Sequence, residues 1–287
     1  MKRLFAFAAL APLALIGGSV ADIAPAPSGA VLATIEAGQP MRMEYSIKAN
    51  AWLLFLPISG KAHFTVDMNA ENYAMHSQVK TTGLADILVN YDLQLAASGY
   101  TTPEGLKSYA FVSQNNDGKK NRLVNLKYLP DSFEMTAKPR FGNLGDPAAT
   151  TEQVLDTTDP ITALITFALE PRAEGADPCG GPLKIFDGRQ LTHLHLTNHG
   201  MKSVKAEAWS GQAYECHVFM DKVAGYKAGE SDKDNLSGID GPLRIYVAPM
   251  PNGAHVPVRI EADSEDIGRV TLQVTKLKFT PLPVEGQ

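Results

Sequence analysis

The stretch CGGPLKIFDGRQLTHLHLTNHGMKSVKAEAWSGQAYEC, residues Cys179–Cys216, organises the chain, because it begins and ends with the only two cysteines. Within it, Asp187-Gly188 forms a turn signal ahead of a strand-like run from Leu191 to Leu196. A second strand-like run ends in Tyr214-Glu215-Cys216. In an oxidising compartment, two cysteines are expected to form one bridge. We therefore predict a Cys179–Cys216 disulfide that fastens a loop to a core strand.

The N-terminus predicts export. The basic segment Met1-Lys2-Arg3 precedes an apolar run from Leu4 to Ile16, and Ser19-Val20-Ala21 has small residues at the positions that signal peptidase reads. A membrane anchor is the alternative, but the run is shorter than the roughly 20 residues that a span needs. We predict a signal peptide over residues 1–21, cleaved after Ala21, and a periplasmic location.

Net charge and the distribution of apolar residues disfavour two classes of protein, those that bind nucleic acid and those that span a membrane. The chain has 26 Lys and Arg against 31 Asp and Glu, and cleavage removes Lys2 and Arg3, which leaves 24 against 31, or −7 with histidine neutral. Such an acidic chain has no general attraction for nucleic acid. No later stretch is long and apolar enough to span a membrane, so the processed chain is predicted not to be membrane-spanning.

Period-two alternation dominates the chain after its first 40 residues. Residues 22–40 are rich in Ala, Pro and Gly and predict a flexible leader. Residues 41–283 contain about a dozen runs in which apolar and polar residues alternate, as in half-buried strands. Short turn signals join neighbouring runs, which favours antiparallel pairing. A change of phase between Val274 and Leu277 predicts a β-bulge.

One helix signal is strong. Asp159 suits the N-cap and Pro160 the first helical position, while Ile161, Leu164 and Ile165 fall on one face. The predicted fold is mainly β, with a single β-rich domain over residues 41–283. Its form is a large antiparallel curled sheet or partly open β-barrel with one short capping helix.

Several short motifs follow one another in a characteristic order: Met43-Glu44-Tyr45, Tyr128-Leu129-Pro130, Asp159 to Leu164, Leu183 to Arg189 and Val256 to Ile260. In these motifs the chain resembles bacterial domain-of-unknown-function family 3108, a group of exported envelope proteins. The resemblance implies an envelope location and a β-rich fold, and it assigns no catalytic residue.

Four histidines form the best candidate metal site. His193 and His195 share one face of a strand, and His199 and His217 could approach them. Neutral imidazoles are good zinc ligands, so a zinc-dependent hydrolase is an alternative function. The other interpretation is a polar outer face of the sheet, and no known metal-ligand spacing is present.

An uncharged segment from Trp52 to Ile58 is the candidate binding feature. Trp52, Leu54, Phe55 and Leu56 are predicted to contact an apolar ligand or a partner, the alternative being ordinary core. The predicted function is that of a periplasmic, non-enzymatic envelope protein that uses no cofactor. It binds a lipid, another apolar molecule or an envelope protein. A purely structural module is a further alternative.

Overall fold

The computed structural model describes most of the chain after Gly38. The predicted signal peptide and most of the predicted leader lie outside the described residues. Described are residues 39–53, 56–82, 91–102, 105–117, 121–170, 172, 175–228, 239–250, 255–264 and 268–283.

Alternating apolar and polar residues produce thirteen described strands in one antiparallel sheet. The strand order is β7-β6-β5-β4-β3-β2-β1-β13-β12-β11-β10-β9-β8. Consecutive strands are therefore neighbours except β7 and β8, which are the two edge strands, and β1 pairs with β13 to join the two halves. The strands are β1 Met41–Leu53, β2 Leu56–Met68, β3 Asn72–Thr82, β4 Asp92–Thr102, β5 Gly105–Asn115, β6 Arg122–Tyr128, β7 Phe133–Lys138, β8 Leu183–Phe186, β9 Leu191–Ala206, β10 Trp209–Ala224, β11 Asp240–Pro249, β12 His255–Ser264 and β13 Gly268–Pro281.

The sheet has one buried face. In β3, buried and exposed residues alternate without interruption from Asn72 to Lys80. The bulky residues of the same phase on other strands, including Met43, Phe64 and Met68, are buried in a common core. Burying apolar side chains on one face provides the main driving force for folding such a sheet.

The sheet curls until its two edge strands meet. Phe133 of β7 packs edge-on against Phe186 of β8, with ring centroids 5.8 Å apart. The turn after β8 lies so close to β6 that a Cβ at Gly188 would be 2.6 Å from Val124 Cγ1. Side chains therefore bring these edges together, which confirms the prediction of a curled, partly open barrel-like sheet.

Two short helices are described, α1 (Thr151–Leu155) and α2 (Pro160–Leu169). Helix α2 contacts β4 and β5 on one side and β8 and β12 on the other, and only Thr166 among its residues is not buried. It therefore lies within the curl of the sheet. The sequence pattern predicts α2 but not α1.

Two strand predictions differ in outcome. The phase change near the C-terminus is a bulge: Ser46 pairs with Lys276 and Ile47 with Val274, so Thr275 is extra. The predicted strand from Leu191 to Leu196 is too short, because β9 continues to Ala206 in a long hairpin with β10. Its second half is largely exposed and polar, and therefore lacks the alternation that marks a strand.

Candidate functional site

A buried polar cluster fixes the N-terminal end of α2. Asp159 is fully buried, and its carboxylate accepts hydrogen bonds from the backbone N–H groups of Ile161 (3.1 Å) and Thr162 (2.9 Å). The hydroxyls of Thr162 (2.6 Å) and Ser108 on β5 (2.7 Å) also donate to it. The Tyr73 hydroxyl of β3 lies 2.8 Å from Thr162 Oγ1. The cluster thus links the helix to β3 and β5.

Burial changes the pKa of two groups in this cluster. Burial raises the pKa of Asp159, and the hydrogen bonds that it accepts oppose that change. Burial, followed by the charge of Asp159, raises the pKa of Tyr73. At Gly99 a Cβ would lie 2.6 Å from the Tyr73 hydroxyl, so glycine is needed for close approach. We assign the cluster a structural role, because its carboxylate is shielded from solvent and substrate.

An apolar cluster holds the other end of α2. Phe167 packs with Val247 of β11 and with the Cys179–Cys216 disulfide, whose Cα atoms are 5.7 Å apart. Arg172 donates to the Phe167 carbonyl (2.9 Å) and so satisfies a helix-terminal acceptor. The predicted disulfide is therefore present, and it attaches the loop after α2 to β10. Such bridges persist in oxidising compartments.

The apolar cavity described beside α2 is small. An apolar cavity between α2 and strands β8–β12 has a volume of about 20 Å³ and is bordered by Leu164, Phe167 and facing strand residues. That volume is about what one water molecule needs. This cavity cannot hold an acyl chain.

The four candidate histidines lie along β9 and β10 in two groups. His195 Nε2 is 2.6 Å from Asp221 Oδ2, and His193 lies in register with the same aspartate. The rings of His199 and His217 stack with centroids 3.6 Å apart, and His217 Nε2 is 2.7 Å from Glu215 Oε1. Partial burial, with the nearby charge of Lys184, lowers the pKa of His193.

These groups do not form a complete metal centre within the described part of the chain. There, no set of three or more His, Cys, Asp or Glu side chains is arranged to hold a metal ion. The structure brings His199 and His217 together, and it places His195 with Asp221 instead of with them. Zinc binding stays a prediction, and elemental analysis of protein purified without chelator would test it.

The uncharged segment from Trp52 to Ile58 is located at the end of the β1–β2 hairpin. Trp52 pairs with Pro57, and Leu53 pairs with Leu56. Leu54 and Phe55 lie outside the described residues, as do the side chains of Trp52 and Leu56. Their predicted contacts with a ligand or partner stay a prediction.

The outer face of β2–β5 has an open polar groove that no sequence pattern indicates. Its volume is about 410 Å³, and the polar side chains of His63, Thr65, His76, Gln78, Gln94 and Gln114 line it together with the apolar side chains of Ala96 and Val112. These residues occupy the exposed phase of their strands, where sequence alone indicates only contact with solvent. Their alignment follows from strand register, which brings residues distant in sequence side by side.

Among the described residues, no helix has the length and apolar character that a membrane crossing requires.

Comparisons with known proteins establish the family. No curated protein matches the chain. A solved β-barrel-like protein of domain-of-unknown-function family DUF1849 from Brucella abortus is similar with a TM-score of 0.45 and 11% identity, over 84% of this chain and 98% of that one. A DUF1329 family protein from Desulfovibrio piger has a TM-score of 0.27 and 9% identity, over 86% and 88%. The family model described as "Protein of unknown function (DUF3108)" matches residues 43–275, and the chain therefore belongs to the DUF3108 family.

Proposed function

We propose that this protein is an exported, non-enzymatic protein of the cell envelope that docks onto a protein partner through the end of its β1–β2 hairpin. We call residues 51–58 the docking hairpin. The predicted signal peptide supports a periplasmic location, and a structural disulfide is compatible with that oxidising compartment.

The small size of the apolar cavity beside α2 favours docking over carriage of an apolar molecule at that place. A carrier needs a cavity of several hundred cubic ångströms to bury a ligand. Helix α2 instead occupies the curl of the sheet, and the apolar cavity beside it measures about 20 Å³. A binding surface on the outside of the sheet suits this architecture better.

The position of the docking hairpin carries the proposal. The ladder between β1 and β13 ends at Asn50, and the ladder between β2 and β3 ends at Ser59. Among the described pairings, residues 51–53 and 56–58 pair with each other and continue beyond both neighbouring ladders. The segment from Trp52 to Ile58 has no charged residue. An uncharged apolar hairpin end is suited to burial against another protein.

Site-specific photo-crosslinking in cells tests this function. A photoreactive amino acid at Leu54 is expected to give one discrete adduct with an envelope protein. The same amino acid at Leu144, an apolar residue 47% exposed, is expected to give none. To test the variant Leu54→Ser with Phe55→Ser, the photoreactive amino acid is placed at Trp52 instead of Leu54. The double change should abolish the crosslinked adduct and leave the melting temperature nearly unchanged, as surface substitutions do.

Three results would contradict the proposal. Unfolding of the double variant would assign Leu54 and Phe55 to the core. Equal adducts from Leu54 and Leu144 would indicate non-specific collision. Stoichiometric binding of a fluorescent fatty acid that is lost in the double variant would replace the protein partner with an apolar ligand at the same residues.

A further inference from the structure

Three lysines lie side by side on the outer face of the sheet. Lys48 of β1 pairs directly with Lys61 of β2, which pairs directly with Lys80 of β3. Because neighbouring strands are about 4.8 Å apart, the three Cα atoms lie within about 10 Å of one another. We call Lys48, Lys61 and Lys80 the lysine row.

The lysine row costs stability. Like charges directly opposite each other on neighbouring strands are destabilising. Lys80 is offset by Asp92, whose carboxylate is 3.3 Å from its ammonium group. Within the described part of the chain, Lys48 and Lys61 have no such ion pair. A local arrangement that opposes folding without evident compensation is typical of a functional site.

The polar groove of β2–β5 adjoins this row. Lys61 and His63 are two residues apart on β2, and Lys80 and Gln78 are two apart on β3, so each pair shares one face. Asp92 connects the two features, because Gln78 Nε2 donates to its Oδ1 (3.3 Å) while Lys80 contacts Oδ2. The row and the groove therefore form one continuous surface.

The chemistry of this surface indicates its ligand. The side-chain amides of Gln78 and Gln94 offer both donors and acceptors, which match hydroxyl groups. Gln114 offers its amide oxygen as an acceptor, because its amide nitrogen donates to Asn115 O and Asn121 Oδ1. The imidazole of His76 adds a further hydrogen-bonding group, and the adjacent ammonium groups attract anions. We infer that the groove and the lysine row bind an acidic saccharide, with its hydroxyls in the groove and its carboxylates on the lysines. This site is separate from the docking hairpin.

Titration calorimetry with trigalacturonic acid tests the inference on the full mature protein. The acidic trisaccharide is expected to bind with one-to-one stoichiometry and to weaken as salt rises. Lys61→Gln with Lys80→Gln should reduce affinity by about tenfold, because charge-assisted hydrogen bonds are lost. The same double change should alter the melting temperature only slightly, because relief of the lysine repulsion offsets the loss of the exposed Lys80–Asp92 ion pair. Gln78→Ala with Gln94→Ala should also weaken binding.

Matched controls separate a site from general electrostatics. Lys202→Gln with Lys205→Gln makes the same charge change on exposed positions of β9 and should leave affinity unchanged. Equal loss in both lysine pairs would overturn the inference, as would absence of binding to the folded wild type. Equally tight binding of neutral maltotriose would remove the role of the lysines. Equally tight binding of inorganic phosphate would reduce the site to an anion site without saccharide specificity.

Discussion

The two ends of helix α2 are held in opposite ways. At its N-terminal end, Asp159 and Thr162 form hydrogen bonds with side chains of β3 and β5. At its C-terminal end, Phe167 packs against the disulfide and Val247, in contact with β10 and β11. The helix thus ties the first half of the sheet to the second, through directional polar bonds at one end and apolar packing with a covalent bond at the other.

This difference shows how a curled sheet without complete strand pairing is held in one shape. Hydrogen bonds to a buried carboxylate fix the orientation and register of the helix, because each donor needs defined geometry. Apolar contacts tolerate small displacements, and the disulfide limits how far the segment can move. We therefore expect the C-terminal end of α2, with its disulfide, to contribute more to stability. We expect the N-terminal end, with its hydrogen bonds, to contribute more to fixing the orientation of the helix.

The largest effect is expected from removing the disulfide. Cys179→Ala with Cys216→Ala should lower the free energy of unfolding by about 4 kcal/mol, since the bridge closes a loop of 37 positions. Denaturant unfolding of the oxidised wild type and the double variant measures the difference. Reduced wild type is the control and should resemble the variant. Titration of two free thiols in the denatured, unreduced wild type would show that no bridge forms.

Removing the buried carboxylate is expected to have the next largest effect. Asp159→Ala deletes the N-cap and leaves the hydroxyls of Ser108 and Thr162 without their acceptor, for a total cost of about 3 kcal/mol. Asp159→Asn should cost less, because its carbonyl oxygen can still accept from the first-turn N–H groups. Denaturant midpoints compare the two variants. Equal losses would assign the whole effect to charge and would contradict the capping argument.

The sequence predicts the polar end of α2 in part. Asp159-Pro160 correctly marks the helix start, because capping is a local property of adjacent residues. Ser108 and Tyr73 could not be identified as partners, since they are 51 and 89 residues away from the groups they contact. Helix α1, which was not predicted, has a local signal in the sequence, the capping box formed by Thr150 and Gln153.

Candidate sites could be predicted where they depend on local sequence features, and not where they depend on contacts between distant residues. The prediction of the Cys179–Cys216 bridge follows from having two cysteines and a predicted signal peptide. The antiparallel sheet follows from alternation, which is also local. The lysine row and the polar groove depend on register across four or more strands, and each member alone resembles an ordinary exposed residue. Register is a tertiary property that single-strand patterns leave open.

The smallest expected effect is the pH dependence of stability at alkaline pH, which tests the burial of Tyr73 at the N-terminal end of α2. Burial and the charge of Asp159 raise the pKa of Tyr73 above its ordinary value of 10.0, and burial likewise raises the pKa of Tyr45, Tyr91 and Tyr128. Above about pH 10, unfolded tyrosines lose protons that the folded state retains. The unfolded state then binds fewer protons, so stability falls as pH rises, by about 1.4 kcal/mol per pH unit for each such tyrosine.

Tyr73→Phe separates the contribution of this one residue. At neutral pH it should cost about 1 kcal/mol, the net value of one hydrogen bond to Thr162. Above pH 10, the free energy of unfolding of the variant should fall less steeply with pH than that of wild type, by about 1.4 kcal/mol per pH unit. The two plots of unfolding free energy against pH should therefore converge. Tyr100→Phe is the control, because Tyr100 is a tyrosine that is 51% exposed. Parallel curves for wild type and Tyr73→Phe would mean that Tyr73 is accessible to solvent, and the closed polar end of α2 would then be wrong.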